Sequence, residues 1–287
     1  MTVPAVDEPI GASEASGAGE ASGEPEVAGE PEVVVLRDAR AVAHAAAERI
    51  AAAAIAAAER RGRADVASTG GSTPVGIYTA LTAARLARRV PWDALHVWLG
   101  DDRFVPRSDA HSNMRAIDHG LLGVDGRPAW LPIANAHPWP IEAALDATGG
   151  PLAGPNACAA AHEAEMRAVL PVDAHGRPVF DLVLVGMGGD GHVMSLFPGS
   201  PALDAPGWAT GVAAPTHIAP HVARVTCTAA VLRGTRTLLV VATGASKAAM
   251  VARVLGAGRD VRAMPAQLAR RAGATWILDD DSAAALR

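Results

Sequence analysis

A chain of 287 residues and 29.2 kDa is long enough for one large α/β domain or two small ones. Half of it is hydrophobic but only 3% is aromatic, so alanine, valine and leucine must supply most of the core; collagen-like, disulfide-stapled and wholly disordered classes are excluded. The net charge of −5 is unevenly spread: eight of the 30 acids fall in residues 1–32, which hold no Lys or Arg, leaving a mildly basic remainder. Such a body lacks the clustered Lys/Arg of a nucleic-acid surface and suits a small anionic substrate. Cys158 and Cys227 are too few for a disulfide scaffold or a four-ligand zinc site, which fits a reducing compartment. The N-terminal MTVPAVDEPI has acids where a secretory signal needs bases, and no window reads as a membrane span, so a soluble cytoplasmic protein is expected.

Residues 1–32 are Gly, Ala, Ser, Pro and Glu with a near-repeat, GEPEV at 23–27 and 29–33, and cannot bury enough surface to offset chain entropy. They read as a disordered acidic tail, and 33–287 as a single domain. VVVL at 33–36 predicts a strand and 38–61 an Ala-rich helix stopped at Gly62. ADVAST at 64–69 predicts a second strand, followed by a glycine turn and a helix over 74–87 with proline in its first turn. ALHVWLG at 94–100, FDLVLVG at 180–186, RTLLVVAT at 236–243 and TWILD at 275–279 are further strands, with a possible one at 221–228 and a helix at 246–255. The Pro- and Gly-rich 123–156 looks like an insertion over the sheet. Continuous apolar strands alternating with helices predict an α/β, doubly wound, mainly parallel sheet with helices on both faces.

In such sheets ligands sit beyond the carboxyl ends of the strands, which directs attention to four loops. The first is STGGSTP at 68–74, where Gly70 and Gly71 let the backbone approach an anion, Ser72 and Thr73 add hydroxyls, and a helix N-terminus follows. It reads either as a phosphate cradle or as a capped turn; no Walker A pattern is present. The second, GDDRFVP at 100–106, sets Asp101 and Asp102 beside Arg103, either a surface ion pair or a guanidinium placed to clamp phosphate.

The third loop, GMGGDGHVMSLFP at 186–198, matches G-x-G-x-x-G, but Pro198 and Pro201 interrupt the long helix that a dinucleotide site requires. It offers His192 beside Asp190, an imidazole suited to general acid–base work near neutral pH, or else a structural histidine. The fourth is TGASK at 243–247. Lys247 is the only lysine in the chain, against 24 arginines, and a phosphate contact at a helix N-terminus would account for it; chance survival is the alternative. His217 and His221 have metal-pair spacing, but Pro220 between them argues against a helix, and Cys158 lacks an activating neighbour. No G-x-S-x-G elbow is present.

Taken together, GGSTP at 70–74, GDDRFVP with Ser112 and Asn113 following, GMGGDGHVMSLFPG at 186–199 and TGASK at 243–247 resemble the 6-phosphogluconolactonases. Their wider fold family includes glucosamine-6-phosphate deaminase/isomerase, and the resemblance runs from about residue 33 to the C-terminus. It implies hydrolysis of 6-phospho-D-glucono-1,5-lactone to 6-phosphogluconate in the oxidative pentose phosphate pathway, with His192 as base and Asp190 orienting it. Gly70, Gly71, Ser72, Thr73, Arg103 and Lys247 would hold the phosphate; Asp101, Asp102, Asn113 and Ser195 would act as acid–base groups or supports. No metal, cofactor, nucleic acid or membrane is implied, and no protein partner is identified. The chain departs from the family pattern at Asp102, Val193, Met194 and Thr69. A deaminase or isomerase using Asp101 as a carbon base, and a sugar-phosphate sensor domain, are the alternatives; a sensor would bring a helix-turn-helix domain, and an acidic disordered tail is the opposite of that.

Overall fold

The computed structural model describes residues 29–71, 73–124, 126–256 and 258–286. Most of the acidic tail, and Ser72 of the first loop, lie outside the described residues. The chain runs β1 Glu32–Leu36, α1 Ala39–Arg61, β2 Ala64–Ser68, α2 Thr73–Leu81, α3 Ala84–Ala87, β3 Leu95–Leu99, β4 Asp101–Arg103, α4 Met114–Gly120 and β5 Ala136–His137. It continues α5 Ala153–Val169, β6 Leu182–Gly186, β7 Ala209–Val212, β8 Arg224–Cys227, α6 Ala229–Gly234, β9 Thr237–Ala242, α7 Ala248–Leu255 and β10 Ala274–Asp279. Seven strands in the order β1-β10-β9-β6-β2-β3-β5 form a sheet whose neighbours are all parallel.

The apolar runs become strands because the central ones are covered on both faces: β2 and β10 are buried throughout, as are the first four residues of β6. Alanine, valine and leucine fill most of the interior, with Trp98, Trp139, Trp276 and Phe180 fully buried among them. Each indole has a partner: Trp98 donates to Asp65 Oδ1, Trp139 to the Leu99 carbonyl and Trp276 to the Ala269 carbonyl. α1 begins at the side-chain cap of Asp38, stops at Gly62, and packs across β1, β2, β9 and β10. By length and composition α1 is apolar enough to cross a membrane, which corrects the expectation that no window qualifies; Val42, Ala46, Ile50 and Ala54 are buried in the fold.

Three further points differ from the sequence reading. The helix expected over 74–87 is two helices, because Thr82 bonds back to the Tyr78 carbonyl and Ala83 turns extended. The 123–156 segment is not only a cover: its β5 extends the main sheet beyond β3. Glu30 and Glu32, assigned to the tail, are engaged: Glu32 opens β1 and bonds Arg49 and Thr275, and Glu30 pairs with Arg270.

A second, antiparallel sheet of order β4-β8-β7 sits at the carboxyl end of β3. Gly100 hands the chain from one sheet to the other, donating to the Ser68 carbonyl and accepting from Cys227 N–H. Its register sets Arg103 directly opposite Arg224. The small sheet therefore closes over the end of the large one where the four loops emerge.

Candidate active site

Beyond the carboxyl ends of β2, β3, β6 and β9 lies a cavity of about 320 Å³. Gly70, Gly71 and Thr73 of the first loop, Asp101, Arg103 and Asn113 of the second, His192 and Ser195 of the third, and Lys247 of the fourth all line it. Residues separated by more than 170 positions are thus brought to one place, as expected for this sheet type. Among the described residues no group of three His, Cys, Asp or Glu side chains is arranged to hold a metal ion.

His192 is fixed from behind. Its Nδ1 lies 2.5 Å from Asp190 Oδ1, and its backbone N–H donates to the same oxygen at 3.2 Å. Asp190 does not line the cavity but stands behind the imidazole. Its other oxygen lies 2.9 Å from His217 Nε2. Burial raises its carboxyl, but the hydrogen bonds of the two imidazoles and the charge of His192 outweigh this and hold it well below the usual carboxylate range. Gly188 is needed for space: a Cβ there would come within 2.1 Å of His192 Nδ1 and 2.5 Å of Asp190 Oδ1. Met194, two residues on, adopts a left-handed φ of 52° and turns Ser195 inward. There Ser195 donates to Asp101 Oδ2 at 2.6 Å, in a fully buried position. Val193, where the family pattern has a hydroxyl, is wholly buried in the core.

The second loop is held by Asp102, which accepts from the backbone N–H groups of Arg103 and Asn113, both at 2.7 Å, and from Ser112 Oγ at 3.2 Å. Burial, helped by the neighbouring Asp101 charge, pushes its carboxyl up to about 7 against those donors. Asp102 does not line the cavity, and its three donors fit the supporting alternative given for it rather than the acid–base one. Asn113 Nδ2 donates to the Asp101 carbonyl at 2.9 Å, while its buried Oδ1 has no partner. A Cβ on Gly70 would fall 1.7 Å from that oxygen, so glycine there admits the amide to the cavity wall. Arg103 anchors one end of its guanidinium to the His111 carbonyl at 2.7 Å. Gly244, before Lys247, is held by both oxygens of Asp279 at 3.0 Å.

Sequence reasoning missed Arg224. It is 3% exposed, lines the cavity, donates from Nη2 to the Pro220 carbonyl at 2.8 Å, and leaves Nη1 buried without a partner. Burial and the facing Arg103 pull its guanidinium down to about 10. The one local signal was an arginine heading an otherwise apolar strand. His217, dismissed as half of a metal pair, instead joins Asp190, and His221 Nδ1 meets the Pro215 carbonyl. Cys158 is buried with its thiol pushed up to about 12, consistent with packing.

A hydrogen-bonded imidazole–carboxylate pair thus faces Arg103, Arg224 and Lys247 across a cavity large enough for a sugar phosphate. The family described as glucosamine-6-phosphate isomerases/6-phosphogluconolactonase matches residues 37–277. The chain is 33% identical over 256 residues to the 6-phosphogluconolactonase of Streptomyces coelicolor, covering 88% of this chain and 94% of that one. It is 32% identical over 233 residues to that of Synechocystis sp., covering 79% and 86%. The solved 6-phosphogluconolactonase of Trypanosoma brucei superposes with a TM-score of 0.78 at 26% identity, covering 90% of this chain and 99% of that chain. A monomeric glucosamine-6-phosphate deaminase shares the fold, with a TM-score of 0.68 at 15% identity. The chain belongs to the glucosamine-6-phosphate isomerase/6-phosphogluconolactonase family.

Proposed function

We propose that this chain hydrolyses 6-phospho-D-glucono-1,5-lactone to 6-phospho-D-gluconate, the lactone-opening step of the oxidative pentose phosphate pathway, as a soluble cytoplasmic enzyme. The observation that carries this reading is the His192–Asp190 pair facing three cationic side chains across one cavity. A lactone is an activated ester, so a positioned base and a held substrate suffice to open it. With Nδ1 tied to Asp190, Nε2 of His192 takes a proton from water. The hydroxide attacks C1, and as the tetrahedral intermediate collapses the imidazolium returns the proton to the departing ring oxygen. Asp190 stabilises the imidazolium between these steps.

The phosphate is held by Lys247, Arg224 and Arg103, with the backbone of Gly70 and Gly71 and the Thr73 hydroxyl at the start of α2. Arg224 fits this role because its unpartnered Nη1 is buried and gains a charge-assisted hydrogen bond from a phosphate oxygen. The Asn113 Oδ1 acceptor suits a sugar hydroxyl. The test offers freshly made lactone and measures 6-phosphogluconate above the spontaneous background with a coupled dehydrogenase. No rate above background, together with ammonia release from glucosamine 6-phosphate, would assign the chain to the deaminases.

A further inference from the structure

His217, marked in the sequence only for its metal-pair spacing with His221, shares Asp190 with His192. Asp190 Oδ1 is taken by His192 at 2.5 Å and Oδ2 by His217 Nε2 at 2.9 Å. The ring of Phe197 wedges between the two imidazoles, 4.8 Å from His192 and 5.7 Å from His217 between centroids, the latter edge-on. His217 is half exposed, and the Ile218 and Ala219 that follow it form part of the cavity wall. The same segment is tied down from the other side by Arg224, which holds the Pro220 carbonyl.

We propose that His217 is a positioning residue of the hydrolytic site: it locks the Asp190 carboxylate against His192 and, when protonated, competes with His192 for that carboxylate's charge. The inference rests on the lactonase reading. A carboxylate whose two oxygens are both engaged cannot rotate away from His192. One negative charge cannot fully offset two imidazoliums, so a proton on His217 disfavours a second on His192. The other charged groups that line the cavity are Asp101, Arg103, Arg224 and Lys247. On its outer side His217 faces a groove of Leu152, Pro201, Val212 and Pro215 that holds no charged side chain.

The test compares wild type, His217→Gln and His217→Ala. Glutamine keeps an N–H donor for Asp190 but cannot carry the proton; alanine removes both. Relative to wild type, the acid limb of kcat/KM in His217→Gln should sharpen to a single-proton step and move up by about one pH unit. At pH 8, kcat of His217→Ala should fall about tenfold and be largely recovered in His217→Gln, as expected of an orienting hydrogen bond. Nitrogen-15 NMR of the imidazoles reads the coupling without turnover: the His192 signals should titrate at higher pH in His217→Gln than in wild type. Unchanged His192 titration, or wild-type kcat and pH profile in both variants, would overturn the proposal. Absence of lactone hydrolysis by the wild-type chain would instead overturn the lactonase reading, while the NMR titration still decides whether the carboxylate is shared.

Discussion

His162 offers a test of the fold's electrostatics that is independent of catalysis. It lies on α5, wholly buried, stacked on Trp139 at 4.1 Å and edge-on to Trp98 at 5.5 Å. Neither ring nitrogen has a hydrogen-bond partner, and burial pulls the imidazole down from 6.5 to about 4. Above pH 6.5 the ring is neutral in folded and unfolded chains alike and contributes nothing. Between 6.5 and about 4 the unfolded chain takes up a proton that the folded one refuses, so stability falls as pH falls. At about 1.4 kcal/mol per pH unit the loss is about 2 kcal/mol by pH 5, levelling near 3 kcal/mol below pH 4. In a chain of this size about 2 kcal/mol lowers Tm by roughly 4–8 °C. His162→Phe keeps an aromatic ring between the two tryptophans and removes the titration. Thermal unfolding followed by near-UV circular dichroism at pH 7.5 and 5.0 should give a Tm drop smaller by that amount in the variant. Titrating groups remote from His162 are common to both proteins and cancel. An equal drop in the two would show that His162 does not resist protonation in the fold.

Four more expectations concern the site and the tail. His192→Ala or His192→Asn should keep the Tm while kcat/KM falls by about 10²–10⁴, the usual contribution of a general base; wild-type turnover in either removes the imidazole from the mechanism. Gly188→Ala should lose activity by a comparable factor, because the added methyl displaces the His192–Asp190 pair, and full activity would show that the loop relaxes freely. Lys247→Ala should chiefly raise KM for the phosphorylated lactone while barely affecting gluconolactone, with Lys247→Arg recovering only part of the loss; an unchanged KM places the ammonium elsewhere. Deleting residues 1–28 should leave Tm and kcat unchanged, whereas deletion through Glu32 should lower Tm, since it removes the first residue of β1 and its bonds to Arg49 and Thr275. Equal effects of the two deletions would contradict that boundary.

Most strands legible in the sequence are buried on both faces, as the apolar runs LVLVG and TLLVVA are, and the edge strand β1 was legible from VVVL although Val33 and Val35 are exposed. β4, β5 and β7 were not legible. They are two to four residues long, and they pair through contacts with distant segments rather than through any pattern of their own. The site divides in the same way. His192, Arg103, Lys247 and the glycines of the first loop follow strands of the main sheet, so the position of each run pointed to them. Arg224 reaches the cavity only because β8 pairs with β4 from 121 residues away. His217 reaches Asp190 from a segment without regular structure, 27 residues further along. The His217 contact leaves no local mark, and that of Arg224 leaves only the charge at the head of β8. Asp102 was legible as either an acid–base group or a support, and the choice between them depends on two backbone N–H groups folded onto it.

The register that sets Arg103 directly opposite Arg224 makes the protein's heat resistance a function of its buffer. Like charges across a strand pair weaken it, and the buried Nη1 of Arg224 adds to that cost. A phosphate dianion lodged between the two guanidiniums reverses both effects and favours the folded state in proportion to RT ln(1 + [L]/Kd). Phosphate buffer, sulfate or accumulated 6-phosphogluconate would then occupy the same cations as the substrate, protecting the enzyme while inhibiting it. Conditions chosen for storage would thus be poor conditions for assay. On the proposed reading, the small antiparallel sheet would hold its two arginines together for ligand binding at the expense of its own stability.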